Sequence, residues 1–470
     1  MSNLPAQILV EPLTGPFDAT GAAAPFVPGS KSLTNRALML AAVAKGTSTL
    51  KGVLFSDDSR RMLEALAALG YKLEIGEAAR TVVVHGADGR MHSAAKNSPT
   101  ELFLGNAGTA TRFLTAGVCL AETGREFVIT GIARMLERPI GELVEPLREL
   151  GADIAYLGEE GFPPVKVTGA GSLAGGRLRM KPTLSSQFIS ALLQIGPLCE
   201  GGLAIAFDGP VTSLPYVKMT VELMRLFGAK VETDADYREI RVQAGGYVGR
   251  ELLIEPDASN ASYAMGLAAV MPGAATEIVG LSADSLQGDA AFAHELELMG
   301  ANVVYGQNSI TVRGGKKLNG IDRDFNAIPD MVQTAAVVAL FADGPTRFRN
   351  VGNLRVKETD RMEALRVELS KLGATVTVMG DDLVVEPYGN GVLVNRAVGS
   401  DSAGYGEPLS KENPVVIQTY DDHRMAMSFT VAGLKHPGVI IDDPTCVNKT
   451  FPSFFQEIQT LRGTQRQNQV

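Results

Sequence analysis

Two carboxylates, Asp330 and Glu358, stand close in the sequence to groups of lysines and arginines in an otherwise acidic chain. Segment 353–361 reads Asn-Leu-Arg-Val-Lys-Glu-Thr-Asp-Arg, and segment 421–425 reads Asp-Asp-His-Arg-Met. Because neighbouring cations set the pKa of a carboxyl group, such residues can act as an acid and a base beside an anionic substrate. Taken singly, the charged pairs within 357–361 also fit surface ion pairs, which contribute little to stability.

A turn within residues 102–112 is predicted to bind an anion. An apolar strand ending runs into Gly-Asn-Ala-Gly-Thr and then into a helix-forming segment. The start of such a helix offers free backbone N–H groups and a positive dipole end, while Gly105 and Gly108 permit close approach to a ligand. Arg112 can add a charged fork. The alternative is an ordinary turn capped by Thr109, and the segment matches neither a Walker loop nor a dinucleotide-binding motif.

Similar residues recur where other helices are predicted to begin. Lys31 and Arg36 follow Ser30, Ser186 stands at a later start, and segment 448–450 reads Asn-Lys-Thr. Singly, the two serines fit N-caps, and the two cations fit a solvated surface. Together, cations and small hydroxyls at repeated helix starts indicate a cleft that binds one or two multiply charged anions.

Composition excludes several classes of protein. The 470 residues are 45% hydrophobic and 20% charged, with a net charge of −9, which fits a globular protein and argues against a general nucleic-acid binder. Three widely spaced cysteines and five histidines without HExxH spacing give no support to a disulfide framework or a metal site. No apolar segment approaches the ~20 residues of a membrane span. We therefore expect a cytoplasmic protein that does not bind a membrane.

The chain contains an internal repeat. A helix-like segment that ends in an apolar residue and a glycine, followed by a strand, occurs five times at intervals of about 70–80 residues; the glycines are Gly70, Gly151, Gly228, Gly300 and Gly373. With a truncated last copy, this predicts six helix-strand units in two domains of three. Segments 37–43, 191–195, 264–270 and 335–340 are apolar nearly all round, so we expect buried helices inside and sheets outside.

Breaker segments suggest where the chain passes between the two domains. Residues 18–28 are rich in small residues, glycine and proline, and 255–257 reads Glu-Pro-Asp. We therefore predict one domain from 1–28 with 256–470, containing units four to six, and a second from 29–255, containing units one to three. Residues 395–414 are predicted to form a long exposed loop.

These motifs resemble those of the enolpyruvyl transferases, and in particular the members of the shikimate pathway. The strongest matches are Leu104-Gly-Asn-Ala-Gly-Thr-Ala and Arg355-Val-Lys-Glu-Thr-Asp-Arg361, supported by Lys31-Ser32 and Asp422-His-Arg-Met-Ala-Met427. The resemblance extends over essentially the whole chain. It implies an α/β (α+β) fold of the inside-out α/β barrel type, with two similar domains of threefold internal pseudosymmetry and an active site in the cleft between them.

The resemblance also implies a reaction. The enolpyruvyl group of phosphoenolpyruvate moves to the 5-hydroxyl of shikimate 3-phosphate through a tetrahedral intermediate, and phosphate leaves. Asp330 would take the hydroxyl proton, Glu358 would protonate the methylene carbon, and Lys31 would stabilise charge. No cofactor or metal is implied, and we expect a monomer, without nucleic-acid partners, that closes on shikimate 3-phosphate.

By position, the resemblance assigns substrate contacts. Those to phosphoenolpyruvate are Lys31, Gly108, Arg134, Gln187, Arg361, Arg424 and Lys449. Those to shikimate 3-phosphate are Lys31, Ser32, Arg36, Ser185, Ser186, Gln187, Ser213, Asp330, Asn353 and Lys357, with Tyr216 nearby.

The sequence departs from the family pattern at two places, and two alternative functions stay open. Phe113 stands where proline is usual, from which we expect weakened glyphosate inhibition, and the 395–414 loop is longer than usual.

One alternative is transfer to UDP-N-acetylglucosamine, but the reactive cysteine of those enzymes has no counterpart between Cys119 and Cys199. The other is a non-catalytic repeat scaffold that binds polyanions, which Asp330 and Glu358 argue against.

Overall fold

The computed structural model describes residues 4–92, 99–181, 184–389, 391–396 and 406–465. The predicted loop 395–414 therefore falls partly outside the described residues, at 397–405. None of the helices in the described ranges has the length and apolar character required to cross a membrane.

The chain divides into two compact units. The terminal unit consists of Met1–Pro28 and Pro256–Val470, and the middle unit consists of Gly29–Glu255.

The helices, in chain order, are α1 Lys31–Val43, α2 Asp57–Ala68, α3 Gly108–Val118, α4 Ala133–Leu136, α5 Gly141–Glu149, α6 Ser186–Ile195, α7 Leu214–Leu226, α8 Ala258–Val270, α9 Phe292–Met299, α10 Val332–Ala339, α11 Arg361–Lys371, α12 His423–Lys435 and α13 Phe454–Gly463.

The strands, in chain order, are β1 Gln7–Leu9, β2 Asp18–Ala19, β3 Thr47–Lys51, β4 Leu73–Gly76, β5 Thr81–His85, β6 Thr100–Phe103, β7 Glu126–Thr130, β8 Asp153–Tyr156, β9 Val165–Thr168, β10 Gly176–Met180, β11 Leu203–Phe207, β12 Val231–Thr233, β13 Glu239–Val242, β14 Glu251–Leu253, β15 Ala275–Val279, β16 Asn302–Tyr305, β17 Ser309–Arg313, β18 Leu318–Asn319, β19 Asp322–Asp324, β20 Ala342–Asp343, β21 Thr346–Arg349, β22 Thr375–Met379, β23 Asp382–Glu386, β24 Val394–Asn395, β25 Glu407–Pro408, β26 Val415–Ile417 and β27 Val439–Asp442.

One sheet pattern recurs through both units. In the middle unit the strand orders are β14-β3-β5-β4, β6-β7-β9-β8 and β10-β11-β13-β12, and in the terminal unit they are β2-β15-β17-β16, β19-β21-β23-β22 and β26-β27-β1. In each sheet the first two strands are parallel and the rest are antiparallel. The predicted sixfold repeat and the α/β fold class are thus confirmed.

The predicted core helices are buried. Every residue of α1 from Leu33 to Val43 is buried, and α8 is buried except at Ala264. The strands instead alternate, as in β5 and β17, where every second residue faces the interior. Helices that are apolar all round require cover on every side, and sheets with one apolar face supply it.

The outer helices end as the sequence predicts. The repeated glycine after α2, α5, α7, α9 and α11 has φ of 94°, 97°, 90°, 115° and 96° at Gly70, Gly151, Gly228, Gly300 and Gly373. This left-handed conformation lets the chain turn out of a helix while its N–H groups bond the last carbonyls. A side chain with a Cβ disfavours it, which explains the glycine at each of these positions.

We predict that Gly151→Ala lowers the free energy of unfolding by about 1–2 kcal/mol through backbone strain alone. A Cβ at Gly151 would meet nothing within 4 Å, so no clash contributes. Gly463→Ala is the control, because this position also has open space but no positive φ. Urea unfolding should show a change within about 0.5 kcal/mol, or a small gain, for the control. Equal effects in the two variants would contradict the strain argument.

Candidate active site

A carboxylate–cation cluster occupies the helix starts of the terminal unit. Its members lie in or beside the 3₁₀ turns and helix N-termini that follow the parallel strands of that unit. They are Asp330, Lys357, Glu358, Arg361, Asp422, Arg424 and Lys449, all of them at most 23% exposed at the side chain. Six of these seven residues were predicted as site residues from the sequence.

Arg361 lies at the centre of the cluster. Its side chain is 1% exposed and contacts three carboxylates. Nε and Nη2 donate to the two oxygens of Asp422 at 2.7 and 3.2 Å, Nη1 donates to Asp330 at 3.1 Å, and Nη2 lies 2.9 Å from Glu358. Burial alone would lower the pKa of Arg361, but these carboxylates outweigh it and raise the pKa above its usual value.

Asp330 is held ionised by three cations. It accepts hydrogen bonds from Lys357 Nζ at 3.2 Å, Arg361 Nη1 at 3.1 Å and Arg424 Nη2 at 2.8 Å. Burial would raise the pKa of Asp330, but Arg424, Lys357 and Arg361 together hold it well below the usual value. A carboxylate in this state accepts a proton readily only after some of the cations are engaged by another anion.

Glu358 shares Arg361 Nη2 with Asp422. Its carboxylate is 2.9 Å from Arg361 Nη2 and 3.6 Å from Lys449 Nζ, and its side chain is only 8% exposed. The cluster therefore contains four cations and three carboxylates, a net excess of one positive charge. Asn353 lies in the adjoining 3₁₀ helix Gly352–Val356.

Strained backbone leads into two of these helix starts. Tyr420 and Asp421, directly before the N-cap Asp422, have φ of 56° and 53°, and Asp443, ahead of Lys449, has φ of 44°. Left-handed non-glycine residues are uncommon and concentrate at functional sites, where the surrounding structure holds them.

In the middle unit, Lys31 begins α1 behind its N-cap. Ser30 accepts a hydrogen bond from the N–H of Leu33 at 3.3 Å, which confirms the predicted cap. Lys31 Nζ lies 3.4 Å from Asp58, a partner that the sequence did not suggest. Ser32 follows and is half-buried.

Arg36 joins four helices of the middle unit. Nε donates to Thr220 at 2.7 Å, Nη2 to Ser190 at 3.2 Å, and the guanidinium lies 5.4 Å from the centre of the Phe113 ring. Nη1 and Nη2 also donate to the carbonyls of Ser32 and Tyr216. These partners are all uncharged, and burial lowers the pKa of Arg36 to about 10. The solvated alternative is wrong, because the side chain is buried.

The turn before α3 carries no side-chain cap. Ala107 is the N-cap, so the alternative of a turn capped by Thr109 is wrong, because Thr109 lies inside the helix. Gly105 has φ of 56°. Arg138 donates to the carbonyl and the side-chain oxygen of Asn106 at 3.2 and 3.0 Å, and a Cβ at Gly108 would lie 2.7 Å from its Nη2. Gly108 thus accommodates the Arg138 guanidinium, a neighbour that motif spacing does not reveal.

The sequence suggests that Arg112 offers its guanidinium to a bound anion, but in the structure the guanidinium bonds atoms of the protein. Its Nη2 donates to the Pro139 carbonyl at 2.8 Å and its Nη1 contacts Met135 Sδ at 3.3 Å, so the guanidinium ties the turn to the segment that follows α4. Arg134 is 31% exposed and pairs with Glu137 at 2.9 Å. Phe113 packs in the core at 1% exposure.

The start of α6 is capped by Ser185, whose hydroxyl accepts from the Gln187 N–H at 3.3 Å. Ser186 is the first helical residue, so the prediction that it is the N-cap is wrong by one position. Gln187 Nε2 donates to Thr109 at 3.4 Å and brings the start of α6 beside the start of α3. Ser213, with φ of 52°, precedes α7.

Sequence reasoning did not assign roles to Arg138 and Asp422. Asp422 is fully buried and both caps α12, through the Arg424 N–H at 2.9 Å, and holds Arg361. An aspartate directly before a predicted helix is an N-cap signal, but its pairing with a residue 61 positions away requires the fold. Within the described ranges, no group of three or more His, Cys, Asp or Glu side chains could hold a metal ion.

Comparison with known proteins gives matches over nearly the whole chain. A family model described as EPSP synthase (3-phosphoshikimate 1-carboxyvinyltransferase) matches residues 24–458. The 3-phosphoshikimate 1-carboxyvinyltransferase of Vibrio campbellii is 44% identical over 437 residues, which cover 93% of this chain and 96% of that protein.

Solved structures agree with these matches. The EPSP synthase of Acinetobacter baumannii has a TM-score of 0.76 at 27% identity and covers 96% of this chain and 97% of its own. The enolpyruvyl transferase NikO of Streptomyces tendae has a TM-score of 0.72 at 17% identity, with 97% and 98% covered, and supports the fold alone.

We predict that Asp330 makes stability depend on pH in the acid range. In the unfolded chain its carboxyl has a pKa of about 3.9, whereas in the folded chain the pKa is well below the usual value. Its stabilising contribution is therefore complete above the unfolded pKa and is lost as pH falls towards the folded pKa. The stability of the parent relative to Asp330→Asn should be greatest at pH 5–7 and should shrink below about pH 4.

Urea unfolding of both proteins between pH 7 and pH 3 measures this difference. Asp236→Asn is the control, because Asp236 is an exposed turn residue, and its difference from the parent should stay flat. A flat difference for Asp330→Asn would show that the neighbouring cations do not stabilise its charged form.

Proposed function

We propose the function of this chain from the premise that it belongs to the EPSP synthase (3-phosphoshikimate 1-carboxyvinyltransferase) family. It transfers the enolpyruvyl group of phosphoenolpyruvate to the 5-hydroxyl of shikimate 3-phosphate, which gives 5-enolpyruvylshikimate 3-phosphate and inorganic phosphate. The step belongs to the shikimate pathway, which leads to chorismate and the aromatic amino acids. The observation that supports the assignment of roles most strongly is the sharing of Arg361 among Asp330, Glu358 and Asp422.

The proposed chemistry is addition followed by elimination. In the addition, Asp330 takes the proton of the 5-hydroxyl, its oxygen bonds to the central carbon of phosphoenolpyruvate, and Glu358 protonates the methylene carbon. In the elimination, the new methyl group returns a proton to Glu358, the bond from carbon to the phosphate oxygen breaks, and phosphate leaves. Lys31 stabilises charge and shares in the proton traffic.

The charges of the cluster suit this sequence of events. Arg361 and Arg424 hold Asp330 ionised in the free protein, and we propose both as contacts to phosphoenolpyruvate. When an anionic substrate engages them, the pKa of Asp330 rises and it becomes a better base. An anion that engages Arg361 and Lys449 likewise leaves Glu358 with less positive charge nearby, the condition under which a carboxyl keeps a proton to donate.

Further proposed contacts come from the middle unit. For phosphoenolpyruvate these are Lys31, Gly108, Arg134 and Gln187, supported by the uncapped start of α3 and by the bond between Gln187 and Thr109. For shikimate 3-phosphate they are Lys31, Ser32, Arg36, Ser185, Ser186, Gln187 and Ser213. The buried charge of Arg36, which has only uncharged partners, would be offset by an anionic group.

The remaining proposed contacts to shikimate 3-phosphate, Asp330, Asn353 and Lys357, lie in the terminal unit. The two-domain boundaries and enclosure of the substrates by both units stay predictions, as do a monomeric state, a cytoplasmic location and weakened glyphosate inhibition. Burial raises the pKa of the Cys199 thiol to about 11, which fits a cysteine that packs rather than reacts.

Release of phosphate tests the function. The purified protein, mixed with phosphoenolpyruvate and shikimate 3-phosphate, should release phosphate and form one equivalent of the enolpyruvyl product. Neither substrate alone, nor phosphoenolpyruvate with UDP-N-acetylglucosamine, should do so. Absence of phosphate with the shikimate acceptor would refute the proposed function.

We predict that Glu358→Gln lowers kcat by about 10²–10⁴-fold because the amide keeps the shape but cannot donate the proton. The matched control is Glu363→Gln on α11, the helix that begins just after Glu358, where the carboxylate pairs with Arg366 at the surface. Its kcat should stay within about twofold of the parent. Steady-state kinetics measures both, and a Glu358→Gln variant with nearly parental kcat would remove Glu358 from the mechanism.

A further inference from the structure

The segment before α12 has an unusual backbone that needs external support. Tyr420 and Asp421 are consecutive non-glycine residues in the left-handed region, at φ of 56° and 53°. They immediately precede Asp422, which caps α12 and holds Arg361. Side chains with a Cβ adopt this region when surrounding contacts hold them there. Small changes in this segment would move Asp422 and the start of α12.

Glu368 on α11 provides such contacts. Its carboxylate is fully buried and carries out none of the proposed chemistry. It accepts hydrogen bonds from the Tyr420 hydroxyl at 2.6 Å, from the backbone N–H of Gln418 at 3.1 Å, and from Lys371 at 2.7 and 2.8 Å. A buried carboxylate requires several donors, and here two of them come from the strained segment.

Two more bonds tie this segment to its neighbours. Lys371 Nζ also donates to the Val416 carbonyl at 3.2 Å, which joins α11 to β26. The Asp422 N–H donates to the Thr419 carbonyl at 2.9 Å. The path from Glu368 through Tyr420 to Asp422 is therefore a continuous set of hydrogen bonds and peptide units, and from Asp422 it reaches Arg361 and the Arg424 N–H.

We infer that Glu368 and Tyr420 form a positioning clamp that sets the location of Asp422 and, through it, of the Arg361 and Arg424 guanidinium groups. The clamp residues touch no reacting atom in the proposed chemistry. Because Arg361 and Arg424 are proposed contacts to phosphoenolpyruvate, the clamp determines affinity for that substrate. This inference rests on the proposed function.

The clamp differs from a purely structural bond in its kinetic consequence. A bond that only stabilises the fold lowers the amount of active protein when it is removed, and leaves both KM values unchanged. Loss of the clamp displaces the two arginines and raises the KM for phosphoenolpyruvate selectively. Most of the proposed shikimate 3-phosphate contacts, among them Ser32, Ser185 and Ser213, lie in the middle unit and outside the path of the clamp. Asp330 contacts both arginines, so the KM for shikimate 3-phosphate should rise as well, but by much less.

Tyr420→Phe is the direct test, because it removes the hydroxyl and keeps the ring. Loss of a hydrogen bond to a charged group changes an equilibrium constant by about tenfold or more. We therefore expect the KM for phosphoenolpyruvate to rise about tenfold. The KM for shikimate 3-phosphate should change less than about twofold. Tyr247→Phe is the matched control, because that hydroxyl also donates a short bond, 2.7 Å to the Gln194 carbonyl, in the middle unit. It should alter neither KM.

Glu368→Gln is the second variant, which keeps the size of the side chain and an acceptor oxygen. It should give the same selective rise, with thermal unfolding confirming that each variant is folded. Unchanged KM values for phosphoenolpyruvate in both variants, or equal rises for both substrates, would overturn the clamp. A parent protein that releases no phosphate would instead refute the proposed function, so the two failures are distinguishable.

Discussion

The arrangement of the terminal unit depends on one guanidinium that serves three carboxylates. Arg361 is almost fully buried and bonds Asp330, Glu358 and Asp422 at once. A buried charge is tolerated only when it is paired and hydrogen-bonded, so removal of any partner would alter the environment of the other two. The proposed acid Glu358, the proposed base Asp330 and the cap of α12 are thereby coupled through a single side chain, and an anion that reaches Arg361 would affect all of them.

The buried arginines of the middle unit have different partners from those of the terminal unit. Arg36 and Arg138 are buried, and the hydrogen bonds of their guanidinium groups go to carbonyl, hydroxyl and amide oxygens rather than to carboxylates. The start of α3 adds uncapped backbone N–H groups to this region. Positive charge that is hydrogen-bonded but not neutralised favours an anionic ligand. The cations of the terminal cluster are thus paired with carboxylates, whereas Arg36 and Arg138 of the middle unit are hydrogen-bonded to uncharged groups.

Local patterns predicted much of this structure. Glycine after an outer helix requires a left-handed residue, and all-apolar helices require full burial, so the repeats and the core followed from the sequence. The residues at helix starts were also found, because caps and charged motifs are local. The orientation of Arg112, the placement of Arg138 against Gly108 and the contact between Glu368 and Tyr420 could not be predicted. Each joins residues 23 to 52 positions apart, and depends on how helices pack.

In the proposed function, cations hold Asp330 ionised until the substrate engages them. Carbon-13 NMR of aspartate-labelled protein measures this directly, with the Asp330→Asn spectrum assigning the signal. In the free protein the carboxyl should remain ionised well below its ordinary pKa of about 3.9, and saturating phosphoenolpyruvate should raise that pKa. An ordinary pKa in the free protein, or a pKa that phosphoenolpyruvate leaves unchanged, would contradict the account.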